Sequence, residues 1–146
     1  MLMRSLMAAL VTIAGTAVTH AAEAETPQAV LDRFADGFAT LDADAMAILF
    51  RPDATFFGST VPELLRGQNG ARTYFERVWS NAPKGAVTCD STAFQHPTSD
   101  LALFATTCRL VRPERTFTLR MSGAVMRGGE GWRFADLHVS APPAPR

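Results

Sequence analysis

Between Phe117 and Pro143 the sequence leaves little room for anything but a β-hairpin. Phe117–Met126 reads as one strand, Arg127-Gly128-Gly129-Glu130-Gly131 as the turn and Trp132–Ser140 as the returning strand. Three glycines in five residues tolerate the positive φ angles that a tight return needs. The second strand carries Trp132, Phe134, Asp136, His138 and Ser140 at every other position. At period two these side chains are expected on one face, where His138 can meet Arg120 across the hairpin. A packed sheet requires neither residue, so the pair is a candidate for function.

Upstream, local signals punctuate the chain. Thr26-Pro27 is a helix start, a hydroxyl cap followed by proline at the first helical position. Leu31, Phe34, Phe38 and Leu41 recur at helical spacing and make one apolar face. Asp42 is placed to cap a second helix, Ala43 to Phe50, which Arg51-Pro52 ends. A short strand over 53–58 and a loop over 59–67 follow. A third helix is expected from Asn69 to Trp79, with Ala71, Tyr74, Phe75, Val78 and Trp79 on its apolar face. Beyond the breaker cluster Asn81–Gly85 come four strands, 86–95, 101–111, 116–126 and 132–139. This is an α+β order: a curved antiparallel sheet with three helices on one face. Such a sheet closed by helices leaves a conical cavity suited to a ligand.

Length and composition set the remaining bounds. The chain has 146 residues, enough for one domain with a single core. Lys plus Arg and Asp plus Glu number 14 each, so there is no electrostatic footprint for nucleic acid or an anionic membrane surface. Residues 1–22 have the layout of a secretory signal peptide: an early Arg4, an apolar run from Leu6 to Val18, then small residues. The mature protein is expected to begin between Ala22 and Glu25, outside the cytoplasm in the periplasm or medium, with no membrane attachment after cleavage. The domain is expected over 26–141, with a disordered tail over 142–146. In that compartment Cys89 and Cys108 read as a disulfide. If His96 pairs with Leu101 in the hairpin of strands 86–95 and 101–111, Cys89 falls opposite Cys108, and opposed residues come within disulfide reach.

Three motifs together resemble a known superfamily. One is Phe50-Arg51-Pro52-Asp53-Ala54-Thr55-Phe56. Another is Pro62-Glu63-Leu64-Leu65-Arg66-Gly67 leading to Tyr74-Phe75-Glu76. The third is Arg120 followed by Trp132 and His138-Val139-Ser140-Ala141-Pro142. Over residues 27–143 they resemble the nuclear transport factor 2-like cone fold, shared with ketosteroid isomerase-like and SnoaL-like proteins. Within it the resemblance is strongest to bacterial relatives of the calcium/calmodulin-dependent protein kinase II association domain. The eukaryotic domain has two histidines near its last strand, and here the earlier position is Asp136. No kinase motifs accompany the resemblance, so kinase activity is not expected. Calmodulin binding is not expected either, because no basic amphipathic helix is present.

The resemblance places an arginine in the pocket at Arg120, where a guanidinium would bind a carboxylate bidentately; an outward position on the convex face is the alternative. His138 is a pocket wall or an acid/base, or a structural histidine bonded to Asp136 or Ser140. Tyr74, Phe56 and Trp132 are the expected apolar walls. Metal binding fails for want of ligands at a useful spacing, and no cofactor is expected. The reading is an exported module that binds a small, carboxylate-bearing ligand or serves assembly. The alternative is an isomerase, cyclase or hydrolase using His138 or Asp136. A lone arginine in an apolar pocket favours binding, and two titratable groups with divergent pKa values favour catalysis. A homodimer or larger assembly is expected through the open sheet face, read as carrying Leu101, Leu103, Leu119, Met121, Val125, Leu137 and Val139 between its two alternations.

Overall fold

The computed structural model describes residues 25–142, so the signal segment and all but the first residue of the expected tail lie outside the described residues. The element order is α1 (Pro27–Thr40), α2 (Ala43–Ala47), β1 (Phe50–Phe57), β2 (Leu65–Arg66), α3 (Gly67–Trp79), β3 (Ala86–Cys89), β4 (Ala93–Thr98), β5 (Leu101–Arg112), β6 (Arg115–Gly128) and β7 (Gly131–Ser140). The strands form one unclosed sheet in the order β2-β1-β7-β6-β5-β3, with β4 also on β5. All pairs are antiparallel except β1 with β7. α1 packs against β3, β6 and β7, and α3 against β1.

The helix starts obey their caps. Thr26 Oγ1 accepts a hydrogen bond from the Ala29 amide at 3.1 Å, and Asp42 Oδ1 accepts one from the Ala45 amide at 2.9 Å. α2 is shorter than its sequence suggests, ending at Ala47. The reason is tertiary: the Phe134 amide donates to the Leu49 carbonyl at 2.8 Å, drawing the chain into the sheet. β1 therefore starts at Phe50, ahead of Pro52, which lies where the β1–β7 pairing is irregular and no amide is demanded of it. Arg51 donates through Nε to Asp53 Oδ1 at 3.0 Å. That hydrogen bond holds the Asp53 carboxyl below its ordinary range. Its stabilising effect is present at neutral pH and lost as pH falls through the lowered folded value.

The core is an aromatic stack. Phe34 meets Phe38, Phe75 and Phe134 edge-on, at centroid distances of 5.6, 6.0 and 5.8 Å. Phe50, Phe56 and Phe134 are fully enclosed, each ring contributing about 1.5–3 kcal/mol by leaving water.

Strand 86–95 is two strands, broken at Asp90–Thr92. The freed Asp90 carbonyl accepts from the buried Thr106 hydroxyl at 3.1 Å. Cys89 stands opposite Cys108 and the two are bonded. The tip is tighter than a His96–Leu101 pairing, because Thr98 opposes Leu101. Irregular steps between Thr98 and Gln95, and across the 90–92 break, bring the cysteines back into register.

A second irregularity changes the site. Val125 opposes Phe134 but Ala124 opposes Asp136, so Ala135 is an extra residue in β7. A bulge of this kind reverses the alternation of the strand beyond it. Trp132 and Phe134 point to the helices, and past the bulge Leu137 and Val139 do so. Asp136, His138 and Ser140 are thereby turned to the outer face, not shared with Trp132 and Phe134 as simple alternation expects. Just past the bulge, opposite Leu137, sits Gly123, where a β-carbon would meet the Asp136 carbonyl oxygen at 2.1 Å and the Leu137 Cα at 3.1 Å. Both neighbours are backbone, so Gly123→Ala should cost about 1–3 kcal/mol by overpacking. Its urea midpoint should fall accordingly, and an unchanged midpoint would show that the two strands can part at this point without penalty.

The open face differs from its sequence reading. Of the seven apolar residues assigned to the two alternations, Leu119, Met121, Val125, Leu137 and Val139 are buried on the helix side. Large apolar groups that do remain exposed include Phe57, Leu103 and Val111, 41%, 39% and 47% accessible. Around them lie Thr107, Arg109, Thr118, Arg120, Ser122 and His138, all exposed.

Candidate functional site

Between the helices and the concave face of the sheet lies a cavity of about 240 Å³. Its walls follow from periodicity. The 3–4 spacing of α3 sets Tyr74, Phe75, Val78 and Trp79 on one side, and α1 adds Phe34 and Phe38. The sheet supplies Phe56 from β1, Leu110 from β5, Phe117 and Leu119 from β6, and Val139 from β7. Ser59, Thr60, Arg112 and Ala141 complete the lining where strands end.

This wall is almost wholly apolar, and its polar exceptions are informative. The Thr60 hydroxyl donates to the Tyr74 oxygen at 3.3 Å. Gly58 makes room for that ring: a β-carbon there would meet Tyr74 ring carbons at 2.3 and 2.4 Å. Trp79 is 7% exposed, pinned by Phe38 at 5.5 Å and Phe75 at 4.7 Å between centroids. Its indole Nε1 and the Nε of half-buried Arg112 are both enclosed without a hydrogen-bond partner among the described residues. A buried donor left unpaired costs about 1–3 kcal/mol, and both residues belong to the cavity wall. No carboxylate or imidazole of the described residues lines the cavity.

The expected site residues are divided between two faces. Phe56 and Tyr74 line the cavity as expected. Trp132 is buried in the core but is not part of the cavity wall. Arg120 is exposed on the outer face, opposite Thr107 and Ser140. His138 lies on that face too, opposite Ser122 and 5.9 Å from the Phe57 ring. The two share a shallow outer groove with Asp90, Thr107, Ser122 and Ser140. They lie diagonally across the hairpin strands, outside the cone rather than within it. For Arg120 the cause is β6 parity, which turns Leu119 and Met121 inward; for His138 it is the bulge. Asp136 is half-buried on the outer side and accepts a hydrogen bond from the Thr55 hydroxyl. Among the described residues no three His, Cys, Asp or Glu side chains gather to hold a metal ion.

The cavity arginine is Arg112, a residue the sequence reading left in a turn. One signal was available. Ala102, Phe104, Cys108 and Leu110 face inward on β5, so continuing the alternation two residues brings Arg112 to the same side. Trp79 stands on the apolar face of α3 that its spacing predicts, and the cavity beside it is what the spacing alone does not reveal.

Comparison with known proteins agrees with this architecture. A SnoaL-like domain matches residues 28–145. No curated protein matches the chain. Among solved structures, a protein from Xanthomonas campestris described as a calcium/calmodulin dependent protein kinase II association domain superposes with a TM-score of 0.69 at 20% identity, over 81% of this chain and 86% of its own. A nuclear transport factor 2-like protein of unknown function from Pseudomonas putida gives 0.68 at 17%, over 79% and 83%. A protein from Parabacteroides distasonis described as a ketosteroid isomerase gives 0.67 at 15%, over 81% and 89%. At these identities the three establish the shared cone-shaped α+β fold, and with the domain match over most of its length, the chain belongs to the SnoaL-like family.

Proposed function

We propose that this protein binds, without transforming, a small and mainly apolar molecule that carries a carboxylate. The observation that supports it most is the pairing of an aromatic cavity with two unpartnered buried donors, Trp79 Nε1 and Arg112 Nε. A carboxylate offers acceptors to both, and charge-assisted bonds to a guanidinium are the stronger kind. The cavity exceeds the ~150 Å³ apolar void that accepts benzene, so a substituted benzene or a branched alkyl body suits it. The alternative of an isomerase, cyclase or hydrolase needs an acid/base beside the ligand, and His138 and Asp136 stand on the other side of the sheet. A thermal-shift screen of small aryl and alkyl carboxylates against the matching amides tests the reading. The acids should raise the melting temperature and the amides much less. Equal shifts by acid and amide would remove the anion from the reading, and no shift with any compound would remove the ligand. Affinity for an ionised acid should stay flat between about pH 6 and 9, because a guanidinium keeps its charge. A bell-shaped dependence would bring back an acid/base pair.

Self-association is a second and separate proposal. It rests on Phe57, Leu103 and Val111, each exposed on the open sheet face, and on two-fold pairing as the commonest way for such a face to be covered. Light scattering at micromolar concentration should report a homodimer, and a stable monomer would refute it.

A further inference from the structure

We propose that the mouth of the cavity is a dianion subsite formed by Arg112 and Arg115, so that the preferred ligand joins an apolar body to a doubly charged head such as a phosphate monoester or a dicarboxylate. This rests on the binding reading above and narrows its ligand class. The cavity adjoins a second hollow of about 560 Å³, and Val78, Arg112 and Phe117 line both. The outer hollow lies between the α3–β3 connection, which contributes Ser80, Asn81 and Pro83, and the β5–β6 turn.

Arg112 and Arg115 are direct partners across that turn. Register places them on the cavity side: Leu110 opposes Phe117, both line the cavity, and the next pair of the same parity is Arg112 with Arg115. Like charges directly opposed in a sheet are destabilising. Neither guanidinium has an ion-pair partner among the described residues; Arg115 is exposed, and the Glu114 carboxylate of the same turn also lines the outer hollow. Arg115 is also held in place, its guanidinium carbon 4.7 Å from the centre of the Phe117 ring. Stacking occupies the face of a guanidinium and leaves its N–H edge for an anion. A single carboxylate can satisfy Arg112 and Trp79 while leaving the opposed charge of Arg115 in place. A dianion neutralises both arginines and relieves their repulsion.

The test uses the full chain with its disulfide intact, by calorimetric titration at about pH 8, where a phosphate monoester carries nearly two charges. Phenylacetate, phenyl phosphate and phenylmalonate share one aromatic body and differ in the head. The dianions should bind about tenfold tighter than phenylacetate, with a steeper loss of affinity in salt. Arg115→Gln should bring all three within about twofold of one another by removing the second charge. Arg115→Lys should keep part of the advantage. An advantage for phenyl phosphate alone narrows the head group to a phosphate, and one for both probes makes it any dianion. Equal affinities in the parent protein, or an advantage that survives Arg115→Gln, overturn the subsite while leaving the binding reading intact. Failure of all three probes to bind overturns both.

Discussion

Replacing Arg112 with methionine should remove most of the affinity for a carboxylate ligand. The substitution keeps an unbranched apolar stem against Leu110 and Phe117, so the cavity wall survives and only the charge is lost. Truncating one partner of a desolvated, hydrogen-bonded charge pair costs about 2–5 kcal/mol, which is at least tenfold in the dissociation constant and up to several thousandfold. Trp79→Phe keeps the ring and deletes one neutral donor, so it should cost less, about 1.5–3 kcal/mol for a bond to a charged acceptor. Arg120→Met is the control, because Arg120 lies on the outer face and its loss should leave affinity alone. Titration of the three variants with phenylacetate checks the ordering. If Arg120→Met is the damaging change, the ligand sits on the outer face and the cavity reading is wrong. The unliganded Arg112→Met protein should also be no less stable than its parent, since a buried donor without a partner has been removed.

Breaking the Cys89–Cys108 bond should cost about 3 kcal/mol, the value usual for a loop of this length, and lower the melting temperature on the order of 10–20 °C for a domain of this size. The bond ties β3 to β5 across 19 residues of chain, and β3 is a four-residue edge strand otherwise held by its short ladder to β5 and by α1. Cys108 is fully enclosed, so alanine rather than serine is the suitable replacement at both positions. The double variant Cys89→Ala/Cys108→Ala, melted beside the oxidised parent, gives the size of the effect. A difference below about 1 kcal/mol would mean that β3 holds without its cross-link. Intact mass of protein from its native host bears on the same bond and on export together. It should correspond to a chain beginning between Ala22 and Glu25 with both cysteines oxidised. A mass that includes Met1 removes the proposal that the protein is exported.

What could be read without coordinates was what local chemistry decides. Thr26-Pro27 and Asp42 cap their helices because a side-chain oxygen within three residues of an open amide acts alone. The 3–4 spacing of Phe34, Phe38, Tyr74, Phe75 and Trp79 sets the buried helix faces; Cys89 does oppose Cys108, but through a Thr98–Leu101 tip and irregular steps rather than the regular His96–Leu101 hairpin the sequence suggests. The element order carried the fold class, since short returns between long strands leave few topologies. Tertiary structure decided which side of the sheet a residue faces. One extra residue at Ala135 reverses parity, sending His138 and Asp136 outward while Trp132 and Phe134 stay within. The bulge has no strong local signature, because it arises where β7 must pair with β6 on one edge and with β1, in parallel, on the other. The exchange of Arg120 for Arg112 has the same origin. Both are arginines on alternating strands, and only the closure of the cone by α1 and α3 makes one face an interior and the other a surface.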